Sequence, residues 1–383
     1  MSATPMNDVP PPVGISCVEA RALLDVEGEA LEALLARARA TREHYKGDEI
    51  RFCSITNAKS GRCGERCGFC AQSAHFSTAA PVYPLKDAAT ILAEAKHAEA
   101  EGAGEFSIVT SGTSLKGEAE LVEVERALRA IAEQTGMMRC ASIGLMDART
   151  LARLKDAGLQ SFHHNLETAK SFHAQIVATH SWEQEVAAVR AAKEVGLHVC
   201  CGGIFGMGES LDQRIELMDE LRALDVDSIP LNFLNPQEGT PLEGKRELTP
   251  EDCLRIVAVA RLMLPRQEIF VCGGREVNLQ HLQHRMFDAG ANGTMVGNYL
   301  TTPGRGAVRD REMLGELGLR AVGVLQSERV SERVRGVRAH APLPPEAHAQ
   351  KHHQEHHQEH HQEHHQDGRA PRGSLRVLEG ADG

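Results

Sequence analysis

Positive charge is the first thing this sequence is short of. Lys and Arg number 42 against 53 Asp and Glu, a formal net charge of -11. A chain that binds nucleic acid needs a basic face, so nucleic acid is excluded as the main partner. Long apolar runs are also missing: no stretch of 18 consecutive apolar residues occurs, so no membrane-spanning helix is expected. Residues 1–15 carry Pro5, Pro10, Pro11 and Pro12 and no basic residue ahead of an apolar core, unlike a secretory signal. Aromatic residues make up only 4%, beside 42% hydrophobic and 25% charged residues, within the range of a soluble globular chain. The ten cysteines are unevenly spread through a long chain, which argues against a disulfide framework. They suit metal or catalytic use in a reducing compartment, with cytoplasm expected.

What the sequence does have is Gly61-Arg62-Cys63-Gly64-Glu65-Arg66-Cys67-Gly68-Phe69-Cys70. Three cysteines spaced C-x3-C-x2-C on one glycine-interleaved loop can hold three corners of an iron–sulfur cube and leave one iron open to a small molecule. Structural zinc is the competing reading. It takes four ligands, commonly from two short pairs, and the next cysteine is Cys140.

Around this loop the pattern alternates. Helical periodicity over 18–24 and 29–45 sits in an N-terminal helical segment, 16–47. Strands are expected at 51–55, 106–109, 139–143, 160–166, 198–201, 228–231, 269–272 and 293–296, each followed by a helical stretch. Glycines at Gly136, Gly158, Gly196 and Gly290 stand where helices should end. Eight β–α units over 48–320 predict an α/β fold of the (β/α)8 barrel type, with a doubly wound open sheet as the alternative. In a barrel the active site lies at the C-terminal ends of the strands and in the loops beyond. Residues 1–15 and the tail 321–383 are expected to be disordered. From 352 to 367 the tail is low-complexity and His-rich, so it could carry incidental affinity for divalent metals.

The cysteine loop, with Phe69 before its third cysteine, resembles the cluster motif of the radical S-adenosylmethionine (SAM) superfamily. Its continuation Ala71-Gln72-Ser73 resembles the biotin synthase family. The likeness spans 52–319. It includes His164-Asn165-Leu166-Glu167, Cys200-Cys201-Gly202-Gly203-Ile204, Gly206-Met207-Gly208-Glu209, Ser228-Ile229-Pro230-Leu231-Asn232, Gly239-Thr240-Pro241-Leu242 and Gly273-Gly274-Arg275-Glu276. The resemblance implies a 4Fe-4S cluster on Cys63, Cys67 and Cys70. SAM would be bound at its open iron and split to a 5′-deoxyadenosyl radical that takes hydrogen from dethiobiotin. A second cluster, usually 2Fe-2S, would donate the sulfur. It further implies Phe69 and His180 near SAM, Asn165 and Asn232 on the ureido ring of the substrate, and His163 and Glu167 in the pocket. A flavodoxin or ferredoxin as electron donor and a homodimer also follow from it.

The second cluster is where the chain departs from the family. Cys140, Cys200 and Arg275 match three of its usual ligands, but Ser107 stands where the fourth cysteine belongs. A hydroxyl is harder and far less acidic than a thiol. Ser107 could ligate as an alkoxide, Cys201 or Cys272 could take over, or the cluster could be altered or absent. Strand alternation turns Cys201 away from Cys200, and Cys272 away from Arg275 unless Gly273-Gly274 breaks the period. Cys272 is therefore the favoured recruit, while Cys17, Cys53 and Cys253 read as ordinary small residues. Besides sulfur insertion, two functions compete: a related radical SAM enzyme without it, and a metal-handling protein suggested by the tail.

Overall fold

The computed structural model describes residues 9–115 and 117–322. The His-rich segment 352–367 lies outside the described residues.

Among the described residues ten strands form: β1 Glu49–Lys59, β2 Glu105–Thr110, β3 Met138–Ser142, β4 Ser161–His163, β5 His198–Cys200, β6 Gly203–Phe205, β7 Ser228–Phe233, β8 Glu268–Val271, β9 Gly293–Met295 and β10 Arg320–Val322. Every pairing is parallel. Pairing of β1 with β9 closes the ring, so the open-sheet alternative is excluded. Eight positions make the barrel, the fifth being shared by β5 and β6, both of which pair with β7. The split falls at Cys201-Gly202. A Cβ on Gly202 would lie 2.1 Å from the Pro230 carbonyl oxygen, so only glycine lets the two backbones approach there.

The helices owe their starts to local chemistry. Asp87 and Asp147 cap the helices Ala88–Ala100 and Ala148–Asp156, and Ser181, Ser210 and Thr249 form complete capping boxes before Trp182–Glu194, Leu211–Ala223 and Pro250–Met263. Beneath these helices the outward-facing strand residues Phe52, Ile108, Phe162, Val199, Leu231 and Ile269 are fully buried. Removing each from water stabilises the fold by about 1.5–3 kcal/mol.

Alternate residues face the lumen, and its floor is charged. Arg51 pairs with Glu105 and, at 3.6 Å, with Glu268, which Lys46 also meets at 3.0 Å. Although burial opposes it, the cations Lys46 and Arg51 hold the Glu268 carboxyl far below its ordinary range. Lys46 comes from the N-terminal helix Gly28–Lys46, so that helix helps to stopper the barrel.

Three expectations change. Residues 10–15 are anchored rather than disordered: Tyr45 Oη donates to the Pro10 carbonyl at 3.0 Å, and the Ile15 N–H donates to Leu262 O at 3.0 Å. The helical stretch after β8 is a short helix Arg275–Leu279 followed by a 3-10 turn Gln280–Met286. An additional helix, Lys170–Ile176, fills the loop after β4.

Candidate active site

A cavity of about 400 Å³ opens at the C-terminal ends of the strands. The loop after β1 roofs it. Backbone bonds fold this loop on itself, from Cys63 N to Gln72 O at 3.0 Å and from Cys70 N to Cys67 O at 3.0 Å. The Gln72 amide oxygen receives Ser60 Oγ at 3.0 Å and the Gly61 N–H at 3.2 Å, which fixes the loop's entry. At its far side the loop is tied to the chain after Lys170–Ile176: Gly68 N donates to Ile176 O at 2.8 Å, and Arg66 N to Thr179 Oγ1 at 2.9 Å. Gly239 packs beside the loop with φ +80, where a Cβ would sit 1.9 Å from Ser77 O.

Cys63, Cys67 and Cys70 all line the cavity. Burial, with neighbouring Cys63 and Glu167, drives the Cys67 thiol far up; burial pushes Cys70 up to about 11. Such thiols hold their protons until a metal displaces them. Three free thiols converging from one loop, with no fourth protein sulfur in it, fit a cluster with one open iron. Phe69 packs on the core beside them and shares the cavity wall.

His180 is held on both sides by carboxylates. Its Nδ1 bonds Glu65 at 2.7 Å and its Nε2 bonds Glu185 at 2.5 Å. Hydrogen bonds to Glu185 first, and then Glu65, raise its pKa to about 9 against the cost of burial. Burial works against ionisation of Glu185, but bonds from His164 and His180 bring its carboxyl down to about 2. A charged imidazolium therefore clamps the cysteine loop, through Glu65, to the helix Trp182–Glu194. Both ring nitrogens are occupied, so in this structure His180 acts by positioning the loop. Glu65 and Glu185 were missed in the sequence. Glu65 stood inside the motif as a clue, whereas nothing local marked Glu185.

Asn165 and Asn232 reach the cavity from neighbouring walls. Each ties down the interrupted fifth position: Gly202 N donates to Asn165 Oδ1 at 3.2 Å, and Asn232 Nδ2 donates to Gly203 O at 3.2 Å. Asn232 Oδ1 also accepts Gly273 N at 2.9 Å, and Asn165 Oδ1 meets His163 Nε2 at 3.0 Å. These backbone ties still leave each amide one N–H with capacity for a ligand. Burial lowers the His163 pKa, so its ring is neutral. Burial, reinforced by the Glu185 charge, raises Glu167 to about 8, so at neutral pH it is a carboxylic acid that can donate a proton in a hydrogen bond. Glu167 also has φ +61, a left-handed conformation that costs energy in a non-glycine residue and is retained at the site.

Below the cavity, Cys140 and Ser107 are direct partners across β2 and β3, and Cys200 partners Ser228 across β5 and β7. Ser107 Oγ is buried and has no hydrogen-bond partner. Buried free thiols beside an orphaned hydroxyl are a donor set that a second iron–sulfur cluster would use. Cys201 is fully buried among the core apolar side chains, turned from Cys200 as strand alternation requires. Arg275 opens a helix, and its guanidinium binds Thr294 Oγ1 at 2.7 Å, Asp310 at 3.0 Å and Glu276 at 3.3 Å, while its buried Nε has no hydrogen-bond partner. Through Asp310 it ties the last helix, Ala307–Glu316, to the barrel. Cys53 is not isolated: it is level with Met295 of β9, and Cys272, one step past Val271↔Thr294, reaches the same level from the other side.

Residues 57–221 match the radical SAM superfamily, and residues 230–320 match the biotin and thiamin synthesis associated domain. With the closed barrel and the three-cysteine roof, they define a radical SAM enzyme. The structure resembles methylornithine synthase (TM-score 0.73, 23% identity, 84% of this chain and 97% of that one) and a hydrogenase maturase from Carboxydothermus hydrogenoformans (0.71, 17%, 82% and 77%), likenesses of fold alone. Sequence is more specific. The chain is 54% identical to a biotin synthase of Anaeromyxobacter sp. over 80% of its length and 84% of that relative, and 54% identical to one of Geobacter sulfurreducens over 79% and 92%. It belongs to the biotin synthase family.

Proposed function

We propose that this chain forms biotin by inserting sulfur into dethiobiotin. The observation that carries the reading is one cavity bordered by a three-thiol loop above and two amides at its wall, with further thiols deeper in the same lumen. When bound, a 4Fe-4S cluster with SAM would supply a radical that removes hydrogen from unactivated carbon, and an auxiliary cluster would supply sulfur. Cys63, Cys67 and Cys70 would hold the first; Cys140 and Cys200 belong to the second. The free N–H groups of Asn165 and Asn232 suit a cyclic urea, which offers an acceptor oxygen between two donors. Neutral His163 and protonated Glu167 add hydrogen bonds without placing charge beside a radical. A barrel lumen would shield the radical from bulk water, and the His180 clamp ties the roof to the barrel. A flavodoxin or ferredoxin would supply electrons to a cytoplasmic homodimer. Among the described residues no helix is long and apolar enough to cross a membrane.

Ser107 favours one rival, radical cleavage of SAM without sulfur insertion. The two part in a single assay: protein reconstituted anaerobically with iron and sulfide is given SAM, reductant and dethiobiotin. Biotin together with 5′-deoxyadenosine is expected. Deoxyadenosine alone would establish the rival, and absence of both would remove radical chemistry.

A further inference from the structure

Four cysteines, not two, face the lumen beneath the cavity. On β1 the residues Arg51, Cys53 and Ile55 share one face, and at the end of β8 Glu268, Phe270 and Cys272 share another. These faces meet: Arg51 pairs with Glu268 and lies 6.0 Å over the Phe270 ring. One step further along each strand, Cys53 is level with Met295 of β9, and Cys272, which follows Val271↔Thr294, reaches the same level from β8, so the two cysteines flank one position of the lumen wall. Across the sheet Cys140 is level with Ser107 and, through it, with Ile55, two residues on from Cys53, and Cys200 is level with His163 of β4. Because Arg275 belongs to a helix, its distance from Cys272 in sequence says nothing about the face Cys272 presents.

The spacing of these thiols also carries information. Four thiolates about 2.3 Å from one zinc lie within about 4 Å of one another. Among the described residues, the group of three His, Cys, Asp or Glu ligand atoms that close together is His173, His180 and Glu185, with no cysteine in it. The lumen thiols are thus more widely set, as are Cys63, Cys67 and Cys70, and that suits several irons rather than one ion.

We propose that the auxiliary iron–sulfur cluster of this chain is held by Cys53, Cys140, Cys200 and Cys272, with Ser107 outside its ligand set. The loss of a thiol at Ser107 is offset by thiols at two other lumen positions, which are softer ligands for iron than a hydroxyl of much higher pKa. The proposal rests on the sulfur-donor reading and sharpens it.

The test compares wild type with Cys53→Ala, Cys272→Ala, Cys53→Ser and Ser107→Ala, all reconstituted anaerobically as full-length protein. Iron, acid-labile sulfide and Mössbauer spectra are measured. Cys140→Ala/Cys200→Ala marks the iron content of the loop cluster alone, and its spectrum in each variant reports that the barrel is folded. Both alanine variants at Cys53 and Cys272 should fall toward that content. Cys53→Ser should keep iron but shift the auxiliary spectrum, and Ser107→Ala should match wild type. Wild-type iron, sulfide and spectra in Cys53→Ala and Cys272→Ala, or cluster loss in Ser107→Ala, overturns the ligand set while leaving the sulfur-donor reading intact. Iron for one cluster only in wild type removes both.

Discussion

Replacing His180 with Gln tests the clamp that holds the cysteine loop. The variant keeps an N–H donor but loses the charge between Glu65 and Glu185. Raising an imidazolium from 6.5 to about 9 corresponds to about 3 kcal/mol, at about 1.4 kcal/mol per pKa unit. The depression of Glu185 to about 2 arises largely from the same hydrogen bonds, so it is counted once. Side-chain exposures of 10% for His180 and 4% for Glu185 leave little solvent screening. Because the folded pKa of His180 is raised, its contribution is complete below pH 6.5 and is lost as pH rises through about 9. Urea unfolding of cluster-free protein, followed by Trp182, the sole tryptophan, should show the variant about 2–3 kcal/mol less stable at pH 6. By pH 9.5 the gap should fall below about 1 kcal/mol. A gap of equal size at both pH values would refute an ionic clamp and leave only lost packing.

Glu167→Gln should behave in the opposite sense. The wild-type carboxyl, raised to about 8, contributes stability that is complete below its ordinary 4.5 and is lost as pH rises through about 8. The variant should therefore be about 2–4 kcal/mol more stable than wild type at pH 8 and equal to it near pH 5, read from urea midpoints. Glu268→Gln leaves Arg51 and Lys46 poorly compensated in the barrel floor. It should cost about 3 kcal/mol or more at pH 7 in the same assay. Since the Glu268 pKa is depressed, that gap should narrow as pH falls below the ordinary carboxylate range.

The barrel was legible because its signals are local. Strand alternation, capping residues such as Ser181 and Thr249, and glycine at helix exits all depend on neighbours a few positions away. The loop Cys63–Cys70 was legible for the same reason, since its three ligands share one short segment. Asn165 and Asn232 could be picked out through resemblance, but not their second task of pinning Gly202 and Gly203, which exists only because the fifth strand breaks.

By itself, then, the sequence determined the fold class, the three-thiol roof, the family and the anomaly at Ser107. Tertiary structure decided which distant side chains meet. Lumen neighbours come from strands far apart in the chain, so spacing along the sequence carried no information about Cys53 level with Cys272 or His180 between Glu65 and Glu185. It also set the Arg275 guanidinium against Asp310, because a residue just past the end of a strand can start a helix.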